Sequence, residues 1–384
     1  MRITDATLTP LHLALAQPLR TARGTYATRD GFLVRLWDDE GHVGQGEAMP
    51  LPEFGTESLA MTHTVLRGWL GVLKGQALED SVEGVEATLV PSASEEQRQR
   101  GARLRGIETE EPIPAAQHAL ELALLDLVAQ RKGVPLCWLL AEEARQEVFV
   151  NALLSAEDPG VLSQEARAAV DEGYQTLKLK VAGRSLDADE ARVRAVREAV
   201  GPRVRLRLDA NGGWSEPEAN RALDRLGWYD LELVEQPTPP EDLQALWRVQ
   251  RRAPCLIAAD ETLAMPAAVR TLLTMDLGGG PAVGAVVIKP MVLGGLLPSM
   301  VVALRAAHLG MHAYVTSSID GVVARAGAAH LASALPSGEL ASGLAVGRLF
   351  ADEPKDHPYQ PQRGLVRLRD LPGLGLSPDP GREH

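Results

Sequence analysis

From Thr176 onward the chain repeats one pattern: a short apolar run, a charged residue closing it, then a stretch with helical periodicity. The closing residues are Lys178 and Lys180 in Thr176-Leu-Lys-Leu-Lys-Val181, Asp209 after Leu206-Arg-Leu, and Glu235 after Leu233-Val. Asp260 follows Ala258-Ala, and Lys289 follows Val286-Val-Ile. The steps from Lys180 are 29, 26, 25 and 29 positions. A strand, a helix and two loops occupy about 25–30 residues, so this is the period of a βα unit. The pattern predicts strands at Val148–Leu154, Thr176–Val181, Val204–Asp209, Leu231–Glu235, Leu256–Asp260, Ala285–Lys289 and His312–Ser317, with a weaker eighth at Glu339–Ala345. Helices are expected between them, among them Ala188–Val200, Pro217–Leu226, Asp242–Arg251, Pro266–Met275 and Leu296–His308. Pro217 and Pro266 sit in first turns, where the missing N–H has no partner to lose. Parallel strands closing into a barrel gather their C-terminal ends at one mouth, where catalytic side chains collect.

The amino-terminal part reads differently. Ile3–His12, Gly31–Trp37 and His42–Ala48 alternate like strands, with a turn at Asp38-Asp-Glu-Gly41 and no helix between them. Ser58–Leu73 and Ala115–Lys132 carry helical periodicity, whereas Ser92–Glu111 is charged, nearly free of large apolar groups, and expected to be an exposed loop or solvated helix. The division that follows is an α+β capping domain over residues 1–125, a barrel over 126–347 carrying the charged strand ends, and a proline-rich segment over 348–384 packing back on the cap. Thr21–Gly31, with Gly24, small polar residues and two arginines, is expected to be a mobile loop over the barrel mouth.

Composition narrows the class. The 384 residues are 45% hydrophobic and 23% charged, as in an ordinary globular protein. A net charge of −12 argues against nucleic acid as a partner, since its binders usually show a basic face. No run reaches the roughly 18 apolar residues of a membrane span, and Met-Arg-Ile-Thr-Asp lacks the apolar core of a signal peptide. Cys137 and Cys255 have no metal-type spacing, which fits buried thiols and a cytoplasmic location.

Alternation puts Lys178 and Lys180 on one face of their strand and Leu177, Leu179 and Val181 on the other. Since helices cover the outside of a parallel barrel, the lysines point inward, a costly placement unless carboxylates or a substrate anion compensate. Asp209, Glu235 and Asp260, one at each of the next strand ends, supply three hard oxygen ligands of the kind Mg²⁺ prefers, without the histidines or cysteines of a zinc site. Lys289 stands across the barrel, either as an ion-pair partner of Asp260 or Glu261 or as a working lysine. Lysines flanking such a site fit proton removal next to a carboxylate, with the divalent ion stabilising the enediolate. A lysine base with Mg²⁺ is a pairing already recognised for enolase-type sites.

Lys178-X-Lys180, Asp209-X-Asn211, Glu235, Asp260-Glu261 and Lys289 together resemble the enolase superfamily in its muconate lactonising subgroup. The resemblance implies a modified (β/α)7β TIM barrel, of α/β class, under an N-terminal α+β cap. It implies that Asp209, Glu235 and Asp260 bind Mg²⁺ (or Mn²⁺), that Lys180 is the general base facing Lys289, that Lys178 assists it, and that Asn211 and Glu261 stand behind the ligands. Thr28-Arg-Asp-Gly-Phe-Leu-Val34, Gly46-Glu-Ala-Met-Pro-Leu-Pro-Glu-Phe54, Arg207 and the loop Thr316-Ser-Ser-Ile-Asp-Gly321 are similar to the ortho-succinylbenzoate synthases of menaquinone biosynthesis. That likeness implies a syn dehydration of a succinyl-hydroxycyclohexadiene carboxylate. Lys180 would take the α-proton and help the hydroxyl leave as water, Lys289 would stabilise the enediolate, and Arg207, Ser317 and Ser318 would lie near the ligand.

Where related chains often read Ser-Ser-X-Glu-Ser, this one has Ser317-Ser-Ile-Asp-Gly321, and Gly278-Gly-Gly-Pro281 lengthens the step from Asp260 to Lys289 as a surface insertion. Gly343-Leu-Ala-Val-Gly-Arg-Leu-Phe350 is similar to the last barrel strand of the synthases. Racemases of N-acylamino acids and dipeptide epimerases need the same metal and both lysines, so they are the competing reading. A barrel that binds a carboxylate metabolite without turning it over is a distant third. The expected partner is a small-molecule carboxylate, with neither nucleic acid nor membrane; whether the chain forms a homo-oligomer is left open.

Overall fold

The computed structural model describes residues 1–21, 24–89, 112–274, 280–353 and 357–377. Ser92–Glu111, and Gly278–Gly279 of the expected insertion, lie outside the described residues.

Three antiparallel strands come first: β1 (Ile3–Thr21), β2 (Gly24–Asp38) and β3 (Val43–Ala48). The tight turn between β2 and β3 is held by Asp38, whose Oδ1 accepts from the amides of Glu40 and His42 at 2.9 and 2.8 Å. Helices α1 (Leu59–Leu73) and α2 (Val82–Leu89) follow, and then α3 (Pro114–Lys132). Close approach of β3 to α3 requires glycine, because a Cβ on Gly46 would lie 1.8 Å from the carbonyl oxygen of Ala119. From Ala115 to Ala129 α3 is almost entirely buried, so it lacks a solvent face. It packs on β3 and β2 and also touches the barrel helices, and the domain boundary expected at 125 falls inside it.

The barrel sheet runs in sequence order from β5 (Ala152–Leu154) through β6 (Thr176–Lys180), β7 (Arg205–Asp209), β8 (Leu231–Glu235), β9 (Leu256–Ala259) and β10 (Ala285–Ile288) to β11 (His312–Val315). All the described neighbours are parallel. Helices α4 (Pro159–Asp171), α5 (Leu186–Val200), α6 (Glu216–Leu226), α7 (Leu243–Arg252), α8 (Pro266–Leu272), α9 (Leu296–His308) and α10 (Val322–Ala334) clothe it. Inside, Leu233, Ala258, Ala285, Val287 and Tyr314 form a small apolar cluster of their own.

Three expectations need correction. Val148–Leu154 is two strands, because β4 (Glu147–Phe149) leaves the barrel to pair antiparallel with β12 (Leu365–Arg367). Glu339–Ala345 is not a strand but a pair of bridges, Ser342 to Val150 and Gly343 to Thr316, that join the two ends of the sheet. Its Ala-Ser-Gly sequence offers none of the branched side chains that favour an extended ladder. Gly24–Gly31 is strand, not loop: Thr21 pairs with Gly24 and Arg20 with Thr25. Its threonines and Tyr26 outweigh its two glycines as strand formers. The C-terminal segment meets the cap at Phe350 and Ala351, opposite Leu15 and Ala14, while Gly373 and Leu374 bond Leu136, Val134 and the Asp126 carboxylate.

Among the described residues no helix is long and apolar enough to cross a membrane.

Candidate active site

Strand register alone brings the charged residues to one rim. Lys180 stands opposite Asp209, Asp209 opposite Glu235, and Glu235 opposite Ala258, two residues before Asp260. Lys178 and Lys180 face away from Leu177 and Leu179, which are fully buried. Asp209, Glu235 and Asp260 are buried, and Lys178 and Lys289 are nearly so.

The lysines divide the acids between them. Lys178 Nζ lies 2.6 Å from Glu235 Oε1 and 3.0 Å from Asp209 Oδ2. Lys289 Nζ lies 2.6 and 2.7 Å from the two oxygens of Asp260, so the structural ion pair is present, and 5.4 Å from the centre of the Phe54 ring of the cap. Burial works against the Lys178 ammonium, but Asp209, Glu235 and Asp260 outweigh it and raise its pKa. Lys289 follows the same course beside Asp260, Glu261 and Glu235, so both are held as cations. Burial pushes the Asp260 carboxyl up and Lys289 opposes it; with an ammonium on both oxygens we take that pair as ionised. Lys180 differs: among the described residues no carboxylate lies within ion-pair distance of its amine. Its backbone carbonyl accepts from Arg184 at 3.1 Å and from Arg192 at 2.8 Å, fixing the strand end.

Behind the acids the backbone is tightly set. Asn211 (φ +45°) and Gln236 (φ +36°) both adopt the left-handed region next to an acid, a conformation that asparagine tolerates better than glutamine. The Asn211 amide donates to Asp209 Oδ1 at 3.1 Å, and its side chain donates to Glu261 Oε1 at 3.0 Å. Gln236 Oε1 accepts from the amides of Asp260 and Thr262 at 2.9 and 3.2 Å, so one side chain orients the next strand end. Tyr314 donates its hydroxyl to Glu235 Oε2 at 2.7 Å.

Arg207 is not at the mouth. It lies fully buried one layer down, bonded to Glu232 and, at 2.6 Å, to the Ala341 carbonyl, with its guanidinium 4.7 Å from the centre of the Tyr314 ring. Two-residue alternation explains this: it shares the inward face with Asp209 but sits two residues deeper. Ser317 and Ser318 bond locally, Ser317 Oγ to Asp320 Oδ2 at 3.1 Å and the Ser318 amide to the same oxygen at 2.9 Å. The cap clasps this loop. Arg29 donates to the carbonyls of Ile319, Pro50 and Met49 at 3.1, 3.2 and 2.7 Å, and Glu47 accepts from Gly321 and Val323 at 2.6 and 3.0 Å, at the start of α10. Burial, then the nearby Asp320, push the Glu47 carboxyl up to about 7.

Among the described residues no three His, Cys, Asp or Glu side chains are gathered closely enough to hold a metal as they stand, and ammonium groups sit against the three acids. The donor set nevertheless fits a hard divalent cation. Three carboxylates meet at adjoining strand ends without histidine or thiolate, and Glu261 Oε2, beside Asp260, is buried without a partner. Tyr314, Glu232, Gln236, Arg29 and Glu47 were not singled out in the sequence. Tyr314 could have been found by its inward parity on β11; Gln236, Arg29 and Glu47 act through backbone contacts and Glu232 through an ion pair with Arg207, none of which leaves a local pattern.

Comparison with known proteins finds relatives of both parts of the chain. The family described as enolase C-terminal domain-like matches residues 161–382, and the MenC N-terminal domain matches residues 5–94. The N-succinyl-L-Arg/Lys racemase of Bacillus cereus is 27% identical over 98% of this chain and 95% of its own. The o-succinylbenzoate synthase of Thermobifida fusca is 38% identical over 59% of this chain and 68% of its own. The crystal structure of dipeptide epimerase from Enterococcus faecalis complexed with Mg and the dipeptide L-Leu-L-Tyr superposes with a TM-score of 0.82, at 28% identity, covering 98% of this chain and 99% of that one.

Proposed function

The chain belongs to the enolase superfamily, in its muconate lactonising subgroup, and from that premise we propose that it dehydrates 2-succinyl-6-hydroxy-2,4-cyclohexadiene-1-carboxylate to 2-succinylbenzoate, a lyase step of menaquinone biosynthesis. The observation that carries proton abstraction next to a carboxylate is the division among the lysines: Lys178 and Lys289 are tied to acids, and Lys180 keeps its amine free of them. The choice of a dehydration is supported by the match of the cap to the MenC N-terminal domain and by the 38% identity to a synthase.

In this reading Asp209, Glu235 and Asp260 hold Mg²⁺ (or Mn²⁺), which when bound supplies positive charge to the substrate carboxylate. Lys180, as the free amine, takes the α-proton; the C–O bond to the β-hydroxyl then breaks, and the same proton leaves with that oxygen as water. The ring becomes aromatic, which drives the step forward. Lys289 contributes its charge from the other side, and Lys178 holds Glu235 and Asp209 in place. The substrate is a small-molecule carboxylate.

A second reading, 1,1-proton transfer on an N-acylamino acid or dipeptide, is favoured by the greater reach of the alignment to the N-succinyl-L-Arg/Lys racemase. Steady-state assays with the cyclohexadiene substrate beside a panel of N-succinyl amino acids and dipeptides test both. Turnover of the diene with Mg²⁺, lost on chelation, is the expected result. An inert diene alongside rapid racemisation would replace the first reading with the second.

A further inference from the structure

Glu235 has its two oxygens committed to side chains from two other strands. Lys178 takes Oε1 from β6, two strands away on one side, and Tyr314 takes Oε2 from β11, three strands away on the other, across the barrel interior. A carboxylate held at both ends by donors from different sides has its plane fixed, and a fixed plane decides where its remaining lone pairs point. The Lys178 contact is shared with Asp209, so it does not by itself set the orientation of Glu235. The Tyr314 contact is undivided.

What holds Tyr314 is a second chain of contacts. Its ring is buried in the interior cluster with Leu233, Ala258 and Val287, and the Arg207 guanidinium lies over its face. A cation over the face draws electron density from the ring and makes the phenol a stronger donor. Arg207 in turn is fixed by Glu232, and the way Glu232 reaches it is a feature of the backbone. Leu206 pairs with Leu231 and Arg207 with Leu233, so β8 carries one extra residue between these pairs, and that residue is Glu232. A bulge of this kind re-aims a side chain that regular alternation would send to the opposite face. Here it brings an acid to a fully buried arginine, which also donates to the Ala341 carbonyl.

We infer that Tyr314 is a positioning residue for the metal site: the bulge at Glu232 fixes Arg207, Arg207 fixes the ring of Tyr314, and the Tyr314 hydroxyl sets the Glu235 carboxylate for the divalent ion. This rests on the proposed metal-dependent function and adds the assignment of a supporting pathway beneath it. It also gives Arg207 work without contact to the substrate.

Mn²⁺ binding to the full-length chain, read from the free-ion EPR signal without substrate, tests it. Tyr314→Phe keeps the ring and its packing and removes only the donor; its affinity for Mn²⁺ is expected to fall about tenfold to a hundredfold, the usual effect of losing a hydrogen bond to a ligating side chain. Arg207→Lys keeps a charge beside Glu232 but loses the planar face over the ring, and a smaller loss in the same direction is expected. Tyr359→Phe removes another buried hydroxyl, bonded to His330 and the Leu374 carbonyl far along the chain, and serves as the control. It should lower the melting temperature and leave Mn²⁺ affinity unchanged, separating positioning from general stability. Unaltered affinity in a folded Tyr314→Phe overturns the inference; if that variant does not fold, unaltered affinity in Arg207→Lys does so. Wild-type protein that binds no Mn²⁺ or Mg²⁺ at all would instead overturn the proposed function, and this inference with it.

Discussion

Three lysines in one barrel mouth differ in their company. Lys178 bridges Glu235 and Asp209, Lys289 grips both oxygens of Asp260, and Lys180 is the one whose amine has no such acid partner. A group held by two carboxylates is a poor proton acceptor, so the roles should separate on mutation. Lys180→Ala is expected to lower kcat for the dehydration by about a hundredfold to ten-thousandfold, the span of general-base catalysis. Lys289→Arg keeps the charge but cannot serve as a base near neutral pH, and should retain part of the activity if that lysine supplies only charge. Deuterium wash-in at the α-carbon of N-succinyl amino acids of each hand is the discriminating measurement. Exchange of both hands by wild type, lost for one hand only in each variant, would show two working bases and a racemase. At this scale the sequence was largely legible, because strand-end parity names the acids and lysines directly. The depth of Arg207 was less so: parity gives its face, whereas its layer depends on how far the mouth lies above it.

Among the elements, α3 and α9 meet through a carboxylate that no periodicity could announce. Glu121, in the middle of α3, accepts from the amides of Leu296 and Leu297 at the start of α9, where the orphan N–H groups of a helix need acceptors. Gly295 leaves room for it: a Cβ there would lie 2.2 Å from Glu121 Oε2, and its φ of +147° already favours glycine. Burial pushes the Glu121 carboxyl up to about 8, with Glu86 of α2 adding to it and the two amides opposing. The unfolded chain would release that proton near 4.5, so between about 4.5 and 8 the folded state holds the extra proton. Stability from this group is therefore complete at the acid end and lost as pH rises through 8. Urea denaturation at pH 6 and pH 8.5 should show wild type losing stability over that interval, and Glu121→Gln losing less. Equal slopes would mean that the carboxylate is ionised throughout. The helices themselves were readable from their apolar stripes, and α3 partly so, though its burial on every side hides the stripe. The failed strand at Glu339–Ala345 shows the converse: its bridges exist only because β5 and β11 stand on either side of it.

At the scale of the whole molecule, two buried side chains of the cap sheet join it to the barrel. Arg29 spans three carbonyls, two in its own domain and one, Ile319, in the loop after β11; Glu47 reaches the first amides of α10 from the same side. Both are buried, so neither is replaceable by water without rearrangement. The Arg29 contacts also bear on Thr21–Gly31: whatever the tip of the β1–β2 hairpin does, its Arg29 end is anchored to the barrel. Arg29→Leu keeps the volume apolar and leaves three carbonyls unanswered, at a cost of about 1–3 kcal/mol for each that stays buried. Arg29→Lys, with one nitrogen for three acceptors, should fall between. Hydrogen exchange followed by mass spectrometry should show β1 and β2 losing protection in Arg29→Leu while β6–β10 keep theirs. Since the cap supplies Phe54 above Lys289, kcat/KM should fall together with that protection, whereas Mn²⁺ affinity, set by barrel residues, should hold. Protection unchanged in the cap strands, with kcat/KM at the wild-type value, would mean that the seating lies elsewhere, in α3 and its contacts with the barrel helices.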